Sequence, residues 1–227
     1  PRFDIWRKML DIGLPAGGEM LLLFVYFSAV YWLIQDFGAP AQAGFSIGGR
    51  IMQSIFMPTM AIAFAVGPII GQNFGAGKFD RVRETFQSGI ILSSVVMFIT
   101  TVIMQWRPEV LVMIFTDDAE VIEVGAIFLQ LISLNFVAQG IVFTCSGVFQ
   151  GLGNTRPALF SSGVRILIFI PIALYVRYQP DFSINMVWYI SILSVTAQAI
   201  VSFLLVRREF VRKLDSSEHP GETKRAV

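Results

Sequence analysis

Three ionisable side chains, Glu19, Arg50 and Arg165, interrupt stretches that are otherwise apolar. A charge at the centre of a bilayer costs roughly 2.5–3.5 kcal/mol on insertion scales, so each calls for a partner or a task. Glu19 stands one helical turn after Pro15 and seven residues past the estimated start of its segment, about 10 Å deep at 1.5 Å per residue. Proline interrupts helical hydrogen bonding and leaves carbonyls nearby, so Glu19 is a candidate to bind a proton or a substrate cation. A structural ion pair or hydrogen bond between helices is the competing reading. Arg165 lies about 12 Å deep by the same rise and is the candidate ion-pair partner. Arg50 lies about 30 Å from the turn at Gly71 and can snorkel outward.

Uncharged candidates follow. Asn135 and Gln139 are four residues apart and share a helix face. They either knit helices together or line a polar cavity. Gln53, Met57 and Met60 recur at helical spacing beside Pro58, where flexible thioethers suit a promiscuous drug surface or simple packing. Tyr26, Phe27 and Tyr31 present rings that could stack on a cationic ligand. Cys145, the single cysteine, excludes an internal disulfide and is expected to be a buried, inert thiol. His219, the one histidine, sits in a polar tail, so no metal framework is expected. With one acid and no histidine at membrane depth, a catalytic cluster has no constituents, and the chain is not expected to be an enzyme.

These residues must be positioned by helices in lipid. Of 227 residues, 55% are hydrophobic and 15% charged, and the mean hydropathy is +0.67. Six apolar segments at 12–34, 44–70, 89–106, 121–149, 159–176 and 186–206 are long enough for a hydrocarbon core about 30 Å thick. The expected division is a lead-in over 1–11, a six-helix lobe over 12–206 and a basic, disordered tail over 207–227. Lys78, Arg81, Arg83, Arg156 and the arginines after position 206 fall on one side, with only Arg107 and Arg177 on the other. That bias places both termini in the cytoplasm, and the acidic "TDDAEVIE" connection outside. Trp6, Trp106 and Trp188 lie near segment ends, as interfacial indoles should. A net charge of +1 points to no nucleic-acid partner.

"VGPIIGQNFGAGKFDRVRETF" could be mistaken for a phosphate loop. Lys78 is followed by Phe79 instead of Ser or Thr, and a long apolar helix precedes it in place of a strand. Gly71, Gly75 and Gly77 are read as allowing a tight turn, with Lys78, Arg81 and Arg83 holding it at an anionic leaflet.

Four motifs in order, "GLPAGGE", "AGFSIGGRI", "PIIGQNFGAGKFDRVRE" and "GVFQGLGNTRPAL", resemble those of the multidrug and toxic compound extrusion (MATE) transporters. The resemblance runs from about Gly13 to Arg208. It implies an all-α membrane protein whose six transmembrane helices form one lobe, the C-terminal one, of a twelve-helix transporter. It further implies a homologous N-terminal lobe as partner, a plasma or inner membrane location, and export of organic cations or amphipathic drugs. Export would exchange for H+ or Na+, with no other cofactor. The sequence departs from sodium-coupled relatives, because Leu23 and Gln139 stand where those carry acidic residues, so their cation site is not carried over. The alternatives are a lipid or lipid-linked oligosaccharide flippase of the same superfamily and a non-transporting membrane subunit.

Overall fold

The structure, a computed structural model, describes residues 3–215. Eight α-helices follow one another: α1 (Phe3–Ile34), α2 (Ala39–Gly75), α3 (Phe79–Trp106), α4 (Pro108–Met113), α5 (Ala119–Ser133), α6 (Phe136–Gly151), α7 (Arg156–Arg177) and α8 (Ile184–Phe210). A 3₁₀ turn, Gln35–Phe37, joins α1 to α2, and a π-helical turn, Val211–Asp215, ends the described chain. Among the described residues there is no strand.

Five helices, α1, α2, α3, α7 and α8, are each long and apolar enough to cross a membrane. The fourth expected segment is broken. α5 and α6 meet at 57° and make a sixth span only as a pair. At the break Leu134 and Asn135 donate their amides to Leu131 and Ile132, three residues back instead of four, so the helix tightens and changes direction. The outer surface is apolar, with Phe24, Ile91, Phe98, Leu167 and Ile200 all exposed. So large an uncovered apolar surface belongs in lipid or against another protein.

The prolines do not end their helices. α1 runs through Pro15, α2 through Pro58 and Pro68, and α7 through Pro171. The carbonyl of Ile12, one turn before Pro15, accepts from the Thr155 hydroxyl at 2.6 Å, which ties α1, nine residues past its first, to the start of α7. The expected lead-in is part of α1 from Phe3 onward, and α8 continues through Arg207 and Arg208 to Phe210. Residues 216–227, with His219, lie outside the described residues.

The two Gly-rich turns are built alike. In one, Gly77 donates to Phe74 and Lys78 to Asn73; in the other, Gly153 donates to Gln150 and Asn154 to Phe149. Both are Schellman caps, and the left-handed glycines are Gly77 (φ 69°) and Gly153 (φ 68°). Gly71 and Gly75 are helical, which corrects their reading as turn residues. Gly71 instead joins a ladder in which α2 crosses α6. Gly67 faces Gly147 and Gly71 faces Gly151, and Cβ atoms added at Gly147 or Gly151 would collide with the carbonyl oxygens of Ala63 and Gly67. Small residues at i and i+4 on both helices let the backbones touch. Lys213 Nζ donates at 2.7 Å to the Leu152 carbonyl, capping α6 from the C-terminal turn.

α6 is central. It packs on α2 and α3 on one side and on α8 on the other, while α1 rests chiefly on α7 and barely touches α2. Polar side chains join the helices: inside, Thr144 donates to Ser93 at 3.0 Å and Gln198 to Ser162 at 3.0 Å, and nearer the surface the exposed Gln105 donates to Ser133 at 2.9 Å. Cys145 is fully buried, as expected. Trp188 corrects an expectation: it is no interfacial indole but is buried, stacked on Phe45 at 5.8 Å and edge-on to Phe128 at 4.7 Å.

Candidate functional site

The gap left where α1 stands off α2 holds the polar centre. Arg165, on α7, is 7% exposed. Its guanidinium carbon lies 3.7 Å from the ring centroid of Tyr26 on α1, and its Nη1 donates to Gln139 Oε1 on α6 at 3.5 Å. The Tyr26 hydroxyl shares a hydrogen bond with Ser191 on α8, and its ring meets Phe169 edge-on at 4.8 Å. One arginine therefore draws four helices together. A cation over an aromatic face gains about 2 kcal/mol or more when desolvated, which offsets part of the cost of burial.

Glu19 lies two turns before Tyr26 on α1, and Ser146 two turns after Gln139 on α6. Both pairs keep the seven-residue spacing that puts side chains on one helix face. Two rungs result. Tyr26, Arg165 and Gln139 form one; in the other, Ser146 Oγ lies 2.9 and 2.6 Å from the two carboxylate oxygens of Glu19 and donates to them. The expected Glu19–Arg165 ion pair is absent among the described residues. The two line the same crevice of about 50 Å³, but the guanidinium is held by the tyrosine ring and the amide, and the carboxylate by a hydroxyl. The expected equal depth is thereby corrected: Arg165 meets α1 at the level of Tyr26, seven residues or about 10 Å beyond Glu19 along the same face.

Beyond Arg165 the crevice adjoins a cavity of about 490 Å³ between α1, α2, α5, α6, α7 and α8. Phe45, Phe128 and Trp188 form an aromatic wall, and Met52, Phe56 and Met60 of α2 form another. Tyr26, Gln53, Asn135 and Gln139, all expected from the sequence, line this cavity together with Arg165. Both polar atoms of the Asn135 amide, Arg165 Nε and Trp188 Nε1 are buried without partners.

Two candidates fall elsewhere. Met57 is 66% exposed on the outer face of α2. Tyr31, near the end of α1, donates its hydroxyl to Gln42 Oε1 at 2.9 Å, away from the cavity. Arg50 is exposed, in keeping with outward snorkelling. Ser146, Ser191 and Trp188 were not singled out from the sequence for the site. Of these only Ser146 had a signal, its seven-residue offset from Gln139. Among the described residues no group of three or more His, Cys, Asp or Glu side chains gathers to hold a metal.

The chain is thus a lobe of apolar helices of membrane-spanning length around an amphipathic cavity with buried polar groups. Residues 15–175 match the MatE family model, and the chain belongs to this family of MATE transporters. A probable multidrug resistance protein NorM of Thermotoga maritima is 29% identical over 169 residues, covering 73% of this chain and 36% of that protein. The multidrug resistance protein MdtK of Photorhabdus laumondii is 23% identical over 89% of this chain and 46% of its own length. Among solved structures, the outward-facing conformation of a multidrug resistance MATE family transporter of the MOP superfamily superposes with a TM-score of 0.86. It is 19% identical, over 93% of this chain and 48% of that one, and shares the fold. The chain thus spans half or less of the length of the relatives it matches.

Proposed function

We propose that this chain is the C-terminal lobe of a secondary multidrug exporter, working with a homologous N-terminal lobe and exchanging amphipathic drugs for H+ or Na+. The observation that carries the reading is the place of Glu19. Glu19, a carboxylate within the apolar helix α1, is held by a neutral hydroxyl and not by a cation, and it lines a crevice next to a cavity large enough for a drug. Small-molecule sites have volumes of about 300–1,000 Å³, and this one, at about 490 Å³, falls within that range. A carboxylate so placed binds a proton or small cation at one stage and gives it up at another, and two lobes rocking about the central cavity would supply the alternation. Among the described residues that line the crevice and the cavity, Glu19 is the only carboxylate and so the only counter-charge for an organic cation. A flippase would need several cations for a phosphate headgroup, and the cavity has one.

The test is uptake of a fluorescent drug into everted vesicles by the full-length transporter under a proton gradient alone or a sodium gradient alone. Accumulation under one gradient supports exchange and names the ion. Accumulation under neither removes the proposal.

The proposed orientation has both termini and the Gly77 turn in the cytoplasm, at a basic face of the membrane. Lys78→Cys and Asp117→Cys, at opposite ends of α3 and the α4 connection, should be labelled by an impermeant maleimide from inside and outside respectively. Native Cys145 is buried and gives little background. Labelling of both from one side would remove this topology.

A further inference from the structure

The formal charge on the lining of the large cavity is positive. Arg165 is its sole charged lining residue, and the partners that hold it, the Tyr26 ring and the Gln139 carbonyl, are neutral. Arg165 Nε, the Asn135 amide and Trp188 Nε1 have no hydrogen-bond partner, on side chains that are 7%, 5% and 1% exposed. A buried donor left unsatisfied costs about 1–3 kcal/mol, and more when charged. Such donors, set on residues that line one cavity, call for an acceptor from a ligand. Glu19 does not fill the need, since it lies in the adjoining crevice with Ser146. Phe45, Phe56, Phe128 and Phe143 supply flat apolar surface around the donors.

We infer that this cavity binds the acidic group of an aromatic amphiphile, a carboxylate that accepts hydrogen bonds from Arg165 and Asn135 while its ring system lies against the phenylalanines. The inference rests on the transport reading above and narrows it: the ligand carries a negative charge, alone or within a zwitterion. The planar guanidinium offers paired donors that suit a carboxylate. An ammonium group in the same place would meet a like charge with little water to screen it. The Asn135 carbonyl oxygen remains to accept from a hydroxyl or N–H of the same ligand.

The test compares three probes of one fluorophore on the full-length transporter in nanodiscs: dansylglycine, its methyl ester, and dansylcadaverine, which carries an ammonium. Dansylglycine is expected to bind at least about tenfold more tightly than the other two, the scale of one charge-assisted hydrogen bond. Arg165→Gln should remove that preference and leave the ester's affinity within about twofold, while Arg165→Lys should retain part of it. Equal binding of acid and ester by the unaltered protein, or preference for dansylcadaverine, overturns the inference without recourse to any variant. Equal weakening of all three probes in Arg165→Gln also overturns it, because the carboxylate would then gain nothing from the guanidinium that the ester and the ammonium do not. Carboxylate preference without gradient-driven uptake would retain this site and remove the exporter reading.

Discussion

Gly147→Ala should destabilise the lobe by about 3 kcal/mol, at the upper end of overpacking costs, whereas Gly163→Ala should leave stability unchanged or raise it by up to about 1 kcal/mol. Both glycines lie inside apolar helices, so the helical preference for alanine favours both substitutions alike. Their surroundings separate them. A methyl at Gly163 meets nothing within 4 Å, whereas one at Gly147 runs into the carbonyl oxygen and backbone of Ala63. Backbone cannot turn aside as a side chain can, so α2 and α6 must move apart. That movement would also open the Gly67 and Gly151 contacts one turn along, where the same close approach recurs. Because α6 also carries Gln139 and Ser146, the shift would pull apart both rungs of the site. Thermal unfolding and the monodisperse fraction of the purified transporter measure the difference. If the two variants melt alike, α2 and α6 do not cross through this ladder.

The helical segments were legible because apolar runs of spanning length leave no alternative to helices in lipid, where every backbone group must bond internally. Their meetings were less so. The motif containing Gly67 and Gly71 resembled a turn sequence, and nothing along the chain says that it faces Gly147 and Gly151 across a helix crossing. The break at Asn135 was missed because no proline or glycine marks it; the signal is a change of hydrogen-bond register, visible only in three dimensions. Gln53, Met57 and Met60 share a stripe by spacing, yet Met57 lies outside the cavity. At 100° per residue Met57 falls about 40° to one side of Gln53, whereas Gly49, Met52, Phe56 and Met60 all fall to the other. The cavity lies on that other side, and only the packing of α2 on α5 and α6 determines which side it is. Arg165 went to Tyr26 and not to Glu19 because it meets α1 seven residues beyond Glu19, a level that counting from the estimated segment starts missed. Neither the level at which two helices meet nor the angle about the helix axis is readable from residue counting.

Glu19→Gln should reduce gradient-driven drug export to the level of vesicles without the transporter while leaving the protein folded. The amide has the size of the carboxylate and keeps an oxygen that can accept from the Ser146 hydroxyl, now at 2.9 and 2.6 Å from the two carboxylate oxygens. Loss of stability should therefore stay within about 1 kcal/mol, the net worth of an ordinary hydrogen bond. What the amide cannot do is alternate between a charged state and a proton- or sodium-bound one. A structural role predicts the reverse pattern, lower yield and melting temperature with transport retained in whatever protein folds. Glu19→Asp adds a second discrimination: it keeps the charge but withdraws it by one methylene from Ser146, so partial export with an altered dependence on external pH or sodium is expected. Binding of dansylglycine in the larger cavity should be unchanged by Glu19→Gln, because Arg165 takes its contacts from Tyr26 and Gln139. Undiminished export by Glu19→Gln would separate Glu19 from coupling and transfer that role to a carboxylate in the partner lobe.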